Sequence, residues 1–311
     1  MKKYKHYSKS QIDSMSDSER YEYYKNAVEH YGNLPNQLKG FKAKILFRPL
    51  LLLIARAFPV KIIQLNSIDW PKDNSPVIFS TNHSNANDFP VLLRTIHKHC
   101  FTLADFNMIN DSASCLANRM NGSIFVDRKS EKSGANAFNQ CVEGLKKGYS
   151  MIIFPESTWN LTKSLPMLPR YWGDVRIAQE TGRPIIPVIK VYCGKICLIK
   201  FGECIYVSKD DSVVEKDKEV YNAMVKLIDE IKNTKAYKDN YTPLDYTEWL
   251  RMTLGNYKYS DLSHEVSCIR DDGNLPQEEL KEIIRVGEEI RPIKAIREDL
   301  KYATINYRYD E

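Results

Sequence analysis

Short apolar runs alternate with helical patterns between residues 77 and 235, and this alternation constrains the fold more than any other feature of the chain. Strands that alternate with helices indicate an α/β architecture. The strand-like runs are at 77–81, 101–106, 123–127, 149–154, 185–192 and 196–207, the last bulged or broken at Gly202. The helical patterns end near residues 99, 147, 182 and 235, and the second begins at a Ser133 cap. The sequence therefore predicts a mixed, largely parallel sheet flanked by helices.

Two further segments flank this region. A capping box at residues 16–19 (SDSE) opens a helix that runs to about His30, and a second helix is expected from about 36 to 58. We therefore expect an N-terminal helical pair over 1–63, an α/β domain over 64–242, and a C-terminal extension over 243–311 that packs on that domain. The extension contains helical patterns at 246–254 and 276–290 and an alternating tail near 302–309.

The basic charge is concentrated at the N-terminus. Residues 1–63 hold twelve Lys or Arg against five Asp or Glu, whereas the remainder holds 33 against 35. This excess surrounds an apolar stretch at 45–60, which predicts peripheral contact with an anionic membrane surface through residues 36–63. The alternative is a core helix with solvated flanking charges. No nucleic-acid-binding module is recognisable.

The cysteines and the apolar segments indicate the compartment. Seven cysteines lie without CxxC spacing, which indicates reduced thiols and no zinc site. No run is long enough to span a membrane, and residues 1–5 lack the apolar core of a signal peptide. We expect a cytoplasmic protein, peripheral to the inner face of the cell membrane.

A histidine and an aspartate follow the first predicted strand. Residues 82–88 read NHSNAND, with His83 and Asp88 five positions apart. On a continuous helix these side chains would diverge by about 140°, but a strand-to-helix turn allows an Asp carboxylate to reach a His ring. Such a pair can act as a general base, with the Asp orienting the imidazole. The alternative is a solvated or capping His.

Three more polar clusters lie at the ends or starts of predicted strands, where ligands bind in open α/β sheets. Arg128 ends the run GSIFVDR at 122–128; it could bind a phosphate or carboxylate, or form a surface salt bridge, for which Asp127 is the adjacent candidate. Residues 154–158 read FPEST, and Glu156 could hold Arg128 or a substrate hydroxyl, or its neighbours could cap a turn. Pro187 begins a strand, where proline is usually structural.

Taken in order, these clusters resemble the four sequential blocks of the glycerolipid acyltransferase family, which includes the 1-acyl-glycerol-3-phosphate acyltransferases. The blocks are the His83/Asp88 pair, 122–128, 154–158 and 186–188 (IPV), and the resemblance covers about residues 60–210. It implies transfer of a fatty acyl group from acyl-CoA or acyl-carrier protein to a lysophospholipid hydroxyl. It implies no acyl-enzyme, no metal and no cofactor beyond the thioester co-substrate.

The resemblance also implies a role for each matching residue. His83 would be the base and Asp88 would orient it. The acceptor would be bound by the residues of the second and third blocks, Gly122, Arg128, Glu156, Ser157 and Thr158. Pro187 and Trp159 would lie on the acyl-donor side.

The third block departs from the family pattern at two positions. Ser157 replaces a Gly and Trp159 replaces an Arg, which removes a positive charge expected near the acceptor phosphate. An acyltransferase for an atypical glycolipid or glycan acceptor is therefore a second hypothesis, with Trp159 stacking on a sugar, lining an acyl groove or packing in the core. A non-catalytic lipid-binding protein of the same fold is a third hypothesis, and a thioesterase is a fourth.

Overall fold

The computed structural model describes residues 47–105, 108, 112–128, 130–255, 262, 266 and 269–290, together with positions 7, 11, 12, 14–16, 18–20, 22, 23 and 26. Some predictions lie at least partly outside these residues. They include the end of the first helix near His30, the first half of the second helix, the last residue of the strand at 101–106, and the alternating tail near 302–309. The capping box itself is present, because the Glu19 carboxylate accepts from the Ser16 backbone N–H at 2.8 Å and the Ser16 hydroxyl accepts from Glu19 N–H at 3.4 Å.

Among the residues that the structure describes, seven strands form one sheet in the spatial order β1-β7-β6-β2-β5-β3-β4. All neighbouring strands are parallel except β6 and β7, which form an antiparallel pair. This arrangement confirms the predicted α/β class with a mixed, largely parallel sheet. The strands are β1 (Lys61–Gln64), β2 (Ile78–Thr81), β3 (Cys100–Asp105), β4 (Ile124–Val126), β5 (Ser150–Ile153), β6 (Ile185–Cys193) and β7 (Ile196–Phe201).

Eight helices have bounds within the described residues, and a further helical run occupies residues 277–290. The eight are α1 (Arg48–Arg56), α2 (Asp88–Thr95), α3 (Ser112–Asn121), α4 (Glu131–Lys146), α5 (Gly173–Thr181), α6 (Val213–Lys232), α7 (Lys235–Asn240) and α8 (Tyr246–Gly255). None of the helices among these residues is both long and apolar enough to cross a membrane.

The structure corrects several local predictions. The strand β1 was not predicted, because a four-residue edge strand with polar ends has no clear periodicity. The helix α3 was missed because small and polar residues dominate its sequence. The residue that caps α4 is Ser130, whose hydroxyl accepts from Ser133 N–H, whereas Ser133 itself was predicted to be the cap. The last strand ends at Phe201, directly before Gly202.

The core of the sheet explains why the strand sequences are continuously apolar. Every residue of β2 and β5 is buried, because these central strands are covered on both faces. One face packs against α2 through Val91 and Leu92, which form a cluster with Phe79 and Ile152. Burial on both faces favours runs of Ile and Val over strict alternation of apolar and polar residues.

The described residues divide into two compact units. The first contains the described residues up to Asn82, then Asn87–Pro155 and Tyr171–Asn240, and it holds the whole sheet. The second contains His83–Ala86, Glu156–Arg170 and the described residues from Tyr241 onward. Its core joins Trp159 and Leu161 to Leu250, Leu280 and Ile283.

This division differs from the predicted domains at both boundaries. β1 lies across the predicted boundary between residues 63 and 64, and it pairs with β7 of the same sheet. The C-terminal extension packs on the loop Glu156–Arg170, with which it forms the second unit. Most of the apolar side chains in this core come from the C-terminal extension. The loop Glu156–Arg170 shares the core, because apolar side chains from the loop and the extension bury one another.

Candidate active site

The polar clusters follow the carboxyl ends of strands. Residues 82–88 follow β2, and Arg128 lies two residues beyond β4. The loop that contains Glu156 follows β5, the strand that pairs directly with β2. Parallel strands present their carboxyl ends at one edge of a sheet, which is the edge where α/β proteins bind ligands.

His83 lies in a strand-to-helix turn, as the spacing predicted. β2 ends at Thr81 and α2 begins at Asp88, so His83 and Asp88 do not lie on one continuous helix. His83 is partly buried in the second unit, whereas Asp88 is 1% exposed in the first unit. The predicted partnership between their side chains remains a prediction from sequence.

Glu156 holds the backbone of the second unit. Its Oε1 atom accepts a hydrogen bond from His83 N–H at 2.8 Å, and its Oε2 atom accepts one from Leu168 N–H at 2.6 Å. The His83 carbonyl in turn accepts from Asn160 N–H at 2.7 Å. Because Glu156 is fully buried, both oxygens form charge-assisted bonds away from water. The first and third sequence blocks are therefore joined at His83. The predicted contact of Glu156 with Arg128 or a substrate hydroxyl, and its predicted contribution to acceptor binding, remain predictions.

Ser157 adopts a backbone conformation that favours glycine. Its φ angle is 62°, in the left-handed region where a Cβ atom is strained. Gly at this position of the family pattern has a physical reason, since glycine enters this region at little cost. Thr158 follows and is buried. Both residues lie in the Glu156–Arg170 loop, where they were predicted to shape the acceptor site.

Trp159 packs in the core of the second unit, which was one of the three positions that the sequence allowed for it. It is 7% exposed and packs with Leu250 and Leu280. Its ring lies edge-on to the His83 ring, with centroids 5.9 Å apart. A cavity beside Thr158 and Trp159 has a volume of about 10 Å³, the space of about one water molecule. Trp159 is therefore surrounded by protein at this position, and its predicted place on the acyl-donor side stays untested.

Arg128 forms a salt bridge, but with a different partner from the one suggested by the sequence. Its guanidinium lies 3.2 Å from Asp105 Oδ2, and its side chain is 26% exposed. Asp127 pairs instead with Arg20 at 2.5 Å in a buried bridge. The predicted binding of an acceptor phosphate by Arg128 remains a prediction.

Gly122 has a structural explanation. Its φ angle is 78°, and it follows α3 as the left-handed residue that ends the helix. Ser123 N–H donates to Asn118 O at 2.9 Å and Gly122 N–H donates to Arg119 O at 3.2 Å, the two bonds of a Schellman motif. Its predicted contact with the acceptor remains a prediction.

Pro187 lies within β6, where it pairs with Ser80 of β2. Its carbonyl accepts from Gly202 N–H at 2.8 Å. Its backbone nitrogen, which carries no hydrogen, therefore also faces the β7 side. The ladder between β6 and β7 ends at Val188, so no acceptor on that side requires a donor from Pro187. Its assignment to the acyl-donor side remains a prediction.

Two residues of β6 were missed by sequence reasoning. Lys190 and Tyr192 lie next to Asp88 of α2 and contact the same carboxylate oxygen. The available signal was a lysine inside an otherwise apolar strand, IIPVIKVYC. A buried lysine needs compensating partners, so its position between Ile189 and Val191 indicates a specific contact.

The backbone of His83 is held on both sides of its Cα atom. Its N–H donates to Glu156 and its carbonyl accepts from Asn160, and all three residues lie in the second unit. A positioned His can remove a proton from a hydroxyl, which is the role predicted for His83. Within the described residues, no group of three or more His, Cys, Asp and Glu side chains is arranged to hold a metal ion.

Comparison with known proteins shows what this chain is similar to. Residues 62–191 match the family model described as Acyltransferase. Over this region the chain is therefore similar to proteins of the Acyltransferase family. The matched region includes all nine residues singled out from the sequence, from His83 to Pro187.

Curated relatives are 1-acyl-sn-glycerol-3-phosphate acyltransferases. The protein from Saccharomyces cerevisiae is 25% identical over 56% of this chain and 62% of its own length. The protein from Borreliella burgdorferi is 28% identical over 60% of this chain and 68% of its own length. The alpha protein from Ovis aries is 24% identical, and the match spans 56% of it. The chain thus spans about three fifths of the length of these relatives.

A solved structure also aligns with the chain. It is the crystal structure of the 1-acyl-sn-glycerophosphate (LPA) acyltransferase PlsC from Thermotoga maritima, with a TM-score of 0.49 and 20% sequence identity. The alignment covers 72% of this chain and 87% of the other.

Proposed function

We propose that this protein is an O-acyltransferase that moves a fatty acyl group from a thioester donor to a hydroxyl of a lysophospholipid, such as 1-acyl-glycerol-3-phosphate. The donor is acyl-CoA or acyl-carrier protein. The observation that carries the proposal is the bond from His83 N–H to the buried Glu156 carboxylate, which joins two of the family's blocks at the histidine. The names of the curated relatives support the same acceptor class.

The proposed reaction needs one base and no covalent enzyme intermediate. His83 removes the proton from the acceptor hydroxyl, whose oxygen attacks the thioester carbonyl carbon. The carbonyl oxygen then carries the negative charge of a tetrahedral intermediate. When the carbon–sulfur bond breaks, the leaving thiolate takes the proton from the His83 imidazolium. Asp88 orients His83 and stabilises its charged form, and Arg128 binds the acceptor phosphate.

Replacement of His83 tests the proposed base. Purified protein is incubated with labelled acyl-CoA or acyl-carrier protein and lysophospholipid acceptors. We expect His83→Ala to lower acyl transfer by about 10²–10⁴-fold, the usual loss when a general base is removed. His97→Ala is the matched control, because His97 is exposed just beyond α2. Full transfer by His83→Ala contradicts the proposed base.

The same assay separates acyl transfer from two different activities. Release of free fatty acid at the same rate without an acceptor identifies a thioesterase. Tight lipid binding without turnover identifies a non-catalytic lipid-binding protein.

An atypical glycolipid or glycan acceptor is the second candidate. Trp159 supports it, because a buried indole replaces the arginine that the family pattern places near the acceptor phosphate. This second candidate predicts that, in a set of lysophospholipids and glycolipids, transfer is faster to an acceptor other than lysophosphatidic acid. Transfer to lysophosphatidic acid at a rate equal to that of every other acceptor contradicts this second candidate.

Peripheral binding to the inner face of the cell membrane completes the proposal. Leu50, Leu53, Ile54 and Phe58 expose 40%, 63%, 45% and 36% of their surfaces along α1 and the residues just after it. Such an apolar face, next to a basic N-terminal segment, suits insertion among anionic headgroups. In vesicle sedimentation we expect Leu53→Glu to weaken binding, whereas Leu244→Glu, which also replaces an exposed leucine, has little effect. Retention on neutral vesicles that does not depend on salt contradicts the electrostatic contribution.

A further inference from the structure

A lysine is buried in the middle of the sheet. Lys190 lies in β6 and is 1% exposed, with apolar neighbours on either side in sequence. Burial of an ammonium group is costly unless hydrogen bonds and an opposite charge compensate it. The partners of Lys190 therefore indicate what this position does.

The first set of partners lies at the end of β2. Lys190 Nζ donates to Thr81 Oγ1 at 2.7 Å and to the Asn82 carbonyl at 2.6 Å. The Asn82 side chain binds the Lys190 backbone in both directions, at 2.9 Å each. Lys190 thus holds the chain at the residue that immediately precedes His83.

The second partner is the Asp88 carboxylate. Lys190 Nζ lies 3.7 Å from Asp88 Oδ1, and the Tyr192 hydroxyl donates to the same oxygen at 2.8 Å. Asp88 and Lys190 are each 1% exposed. Residues two apart in a strand point to the same face, which brings Lys190 and Tyr192 to Asp88 together.

The surroundings keep these groups in defined protonation states. Burial, followed by the Asp88 charge and that of Cys197, raises the pKa of Tyr192 well above its ordinary value, so its hydroxyl remains a donor. Cys197 of β7 also faces Asp88, and burial raises the pKa of its thiol to about 12, so it stays neutral. Of the three groups named here that face Asp88, which are Tyr192, Cys197 and Lys190, only Lys190 carries a positive charge. A cation beside a buried carboxylate favours its ionised form.

We propose that Lys190 and Tyr192 are positioning residues that hold Asp88 ionised and oriented for His83, an inference that rests on the proposed function. Only an ionised Asp88 stabilises the imidazolium that forms when His83 takes the acceptor proton. Lys190 also binds Thr81 and Asn82, so one side chain contacts residues that precede and follow His83 in the sequence.

The test compares Lys190→Met, Lys190→Arg and Tyr192→Phe with Thr81→Val. Thr81→Val removes a hydrogen-bond partner of Lys190 without removing its charge. We expect Lys190→Met to lower kcat by about 10–100-fold, with KM for the acyl donor changed less than twofold. The acid limb of its kcat–pH profile moves to higher pH by about one unit, because Asp88 protonates more readily. Lys190→Arg recovers part of the loss, and Thr81→Val leaves the acid limb in place.

A second readout does not depend on activity. The titration of Asp88 is followed by ¹³C NMR of its carboxyl carbon, assigned with Asp88→Asn. We expect the titration midpoint to rise in Lys190→Met and, by a smaller amount, in Tyr192→Phe, but not in Thr81→Val. If Lys190→Met does not fold, Tyr192→Phe supplies the test in both readouts.

Failures of the inference and of the proposed function are distinguishable. The proposed function stands if wild-type protein transfers acyl groups and His83→Ala does not. In that case the inference alone is overturned if Lys190→Met keeps the wild-type kcat, pH profile and Asp88 titration. If wild-type protein transfers nothing, the proposed function fails, and an unchanged Asp88 midpoint in Lys190→Met overturns the inference as well.

Discussion

Replacement of Glu156 by Gln changes one atom in the group that holds His83. The two carboxylate oxygens accept backbone N–H groups from His83 and Leu168, at 2.8 and 2.6 Å. A glutamine keeps one oxygen acceptor and puts an NH₂ group in place of the other. One of the two backbone donors then faces another donor, and the site is fully buried, so water cannot replace the lost acceptor.

The expected cost follows from these contacts. A buried donor left without an acceptor costs about 1–3 kcal/mol. The remaining bond loses its charge assistance, which is worth about 1 kcal/mol more. Relief of a buried charge offsets part of this sum, so we expect a net loss of about 2–4 kcal/mol in the free energy of unfolding. At about 2–4 °C for each kcal/mol, the melting temperature falls by roughly 10 °C.

The assay combines thermal unfolding with acyl-transfer kinetics. We expect kcat to fall at least tenfold, about 1.4 kcal/mol in the activation barrier, because the His83 backbone is no longer held. Glu279→Gln is the matched control in the same unit. Its Oε2 atom also accepts two backbone N–H groups, from Lys163 at 2.9 Å and Ser164 at 3.3 Å, but water reaches this site and His83 does not contact it.

Equal effects of Glu156→Gln and Glu279→Gln on both stability and kcat refute this reasoning. So does a Glu156→Gln variant that loses stability but keeps the wild-type kcat below its unfolding transition, since the bond to His83 would then have no catalytic consequence.

Three other changes test the packing and protonation of named residues. Ser157→Gly should stabilise the protein by about 0.5–1 kcal/mol, because relief of the left-handed strain at φ 62° outweighs the added freedom of glycine in the unfolded chain; a lower melting temperature contradicts this. Trp159→Ala should cost about 3–5 kcal/mol in urea denaturation, and a cost below 1 kcal/mol is incompatible with a core position. Burial raises the pKa of the Cys100 thiol from 9.0 to about 12, so the unfolded chain loses this proton first as pH rises above 9. Stability should therefore fall by about 1.4 kcal/mol per pH unit above pH 9 through this group, and Cys100→Ala should lack that slope; parallel stability curves for the two proteins exclude the effect.

The fold class and the position of the catalytic candidates were predictable because both depend on local pattern. Continuous Ile- and Val-rich runs mark strands that are buried on both faces, such as β5. The spacing of His83 and Asp88 requires a turn, and α2 does begin at Asp88. Elements with weak periodicity were not predictable in the same way. β1 has only two apolar residues, and its strand conformation comes from pairing with β7, which lies more than 130 residues away in sequence.

The contacts that hold the candidate site required the tertiary structure. Glu156 reaches His83 across 73 positions, and Tyr192 reaches Asp88 across 104. No local pattern encodes such pairs, because they form only when the sheet order brings β5 and β6 to either side of β2. Trp159 shows the same limit. Its sequence context allowed a ligand contact or a core position, and the apolar side chains of the C-terminal extension give it the core position. Sequence periodicity thus sets which residues follow each strand, whereas long-range packing sets what each of those residues contacts.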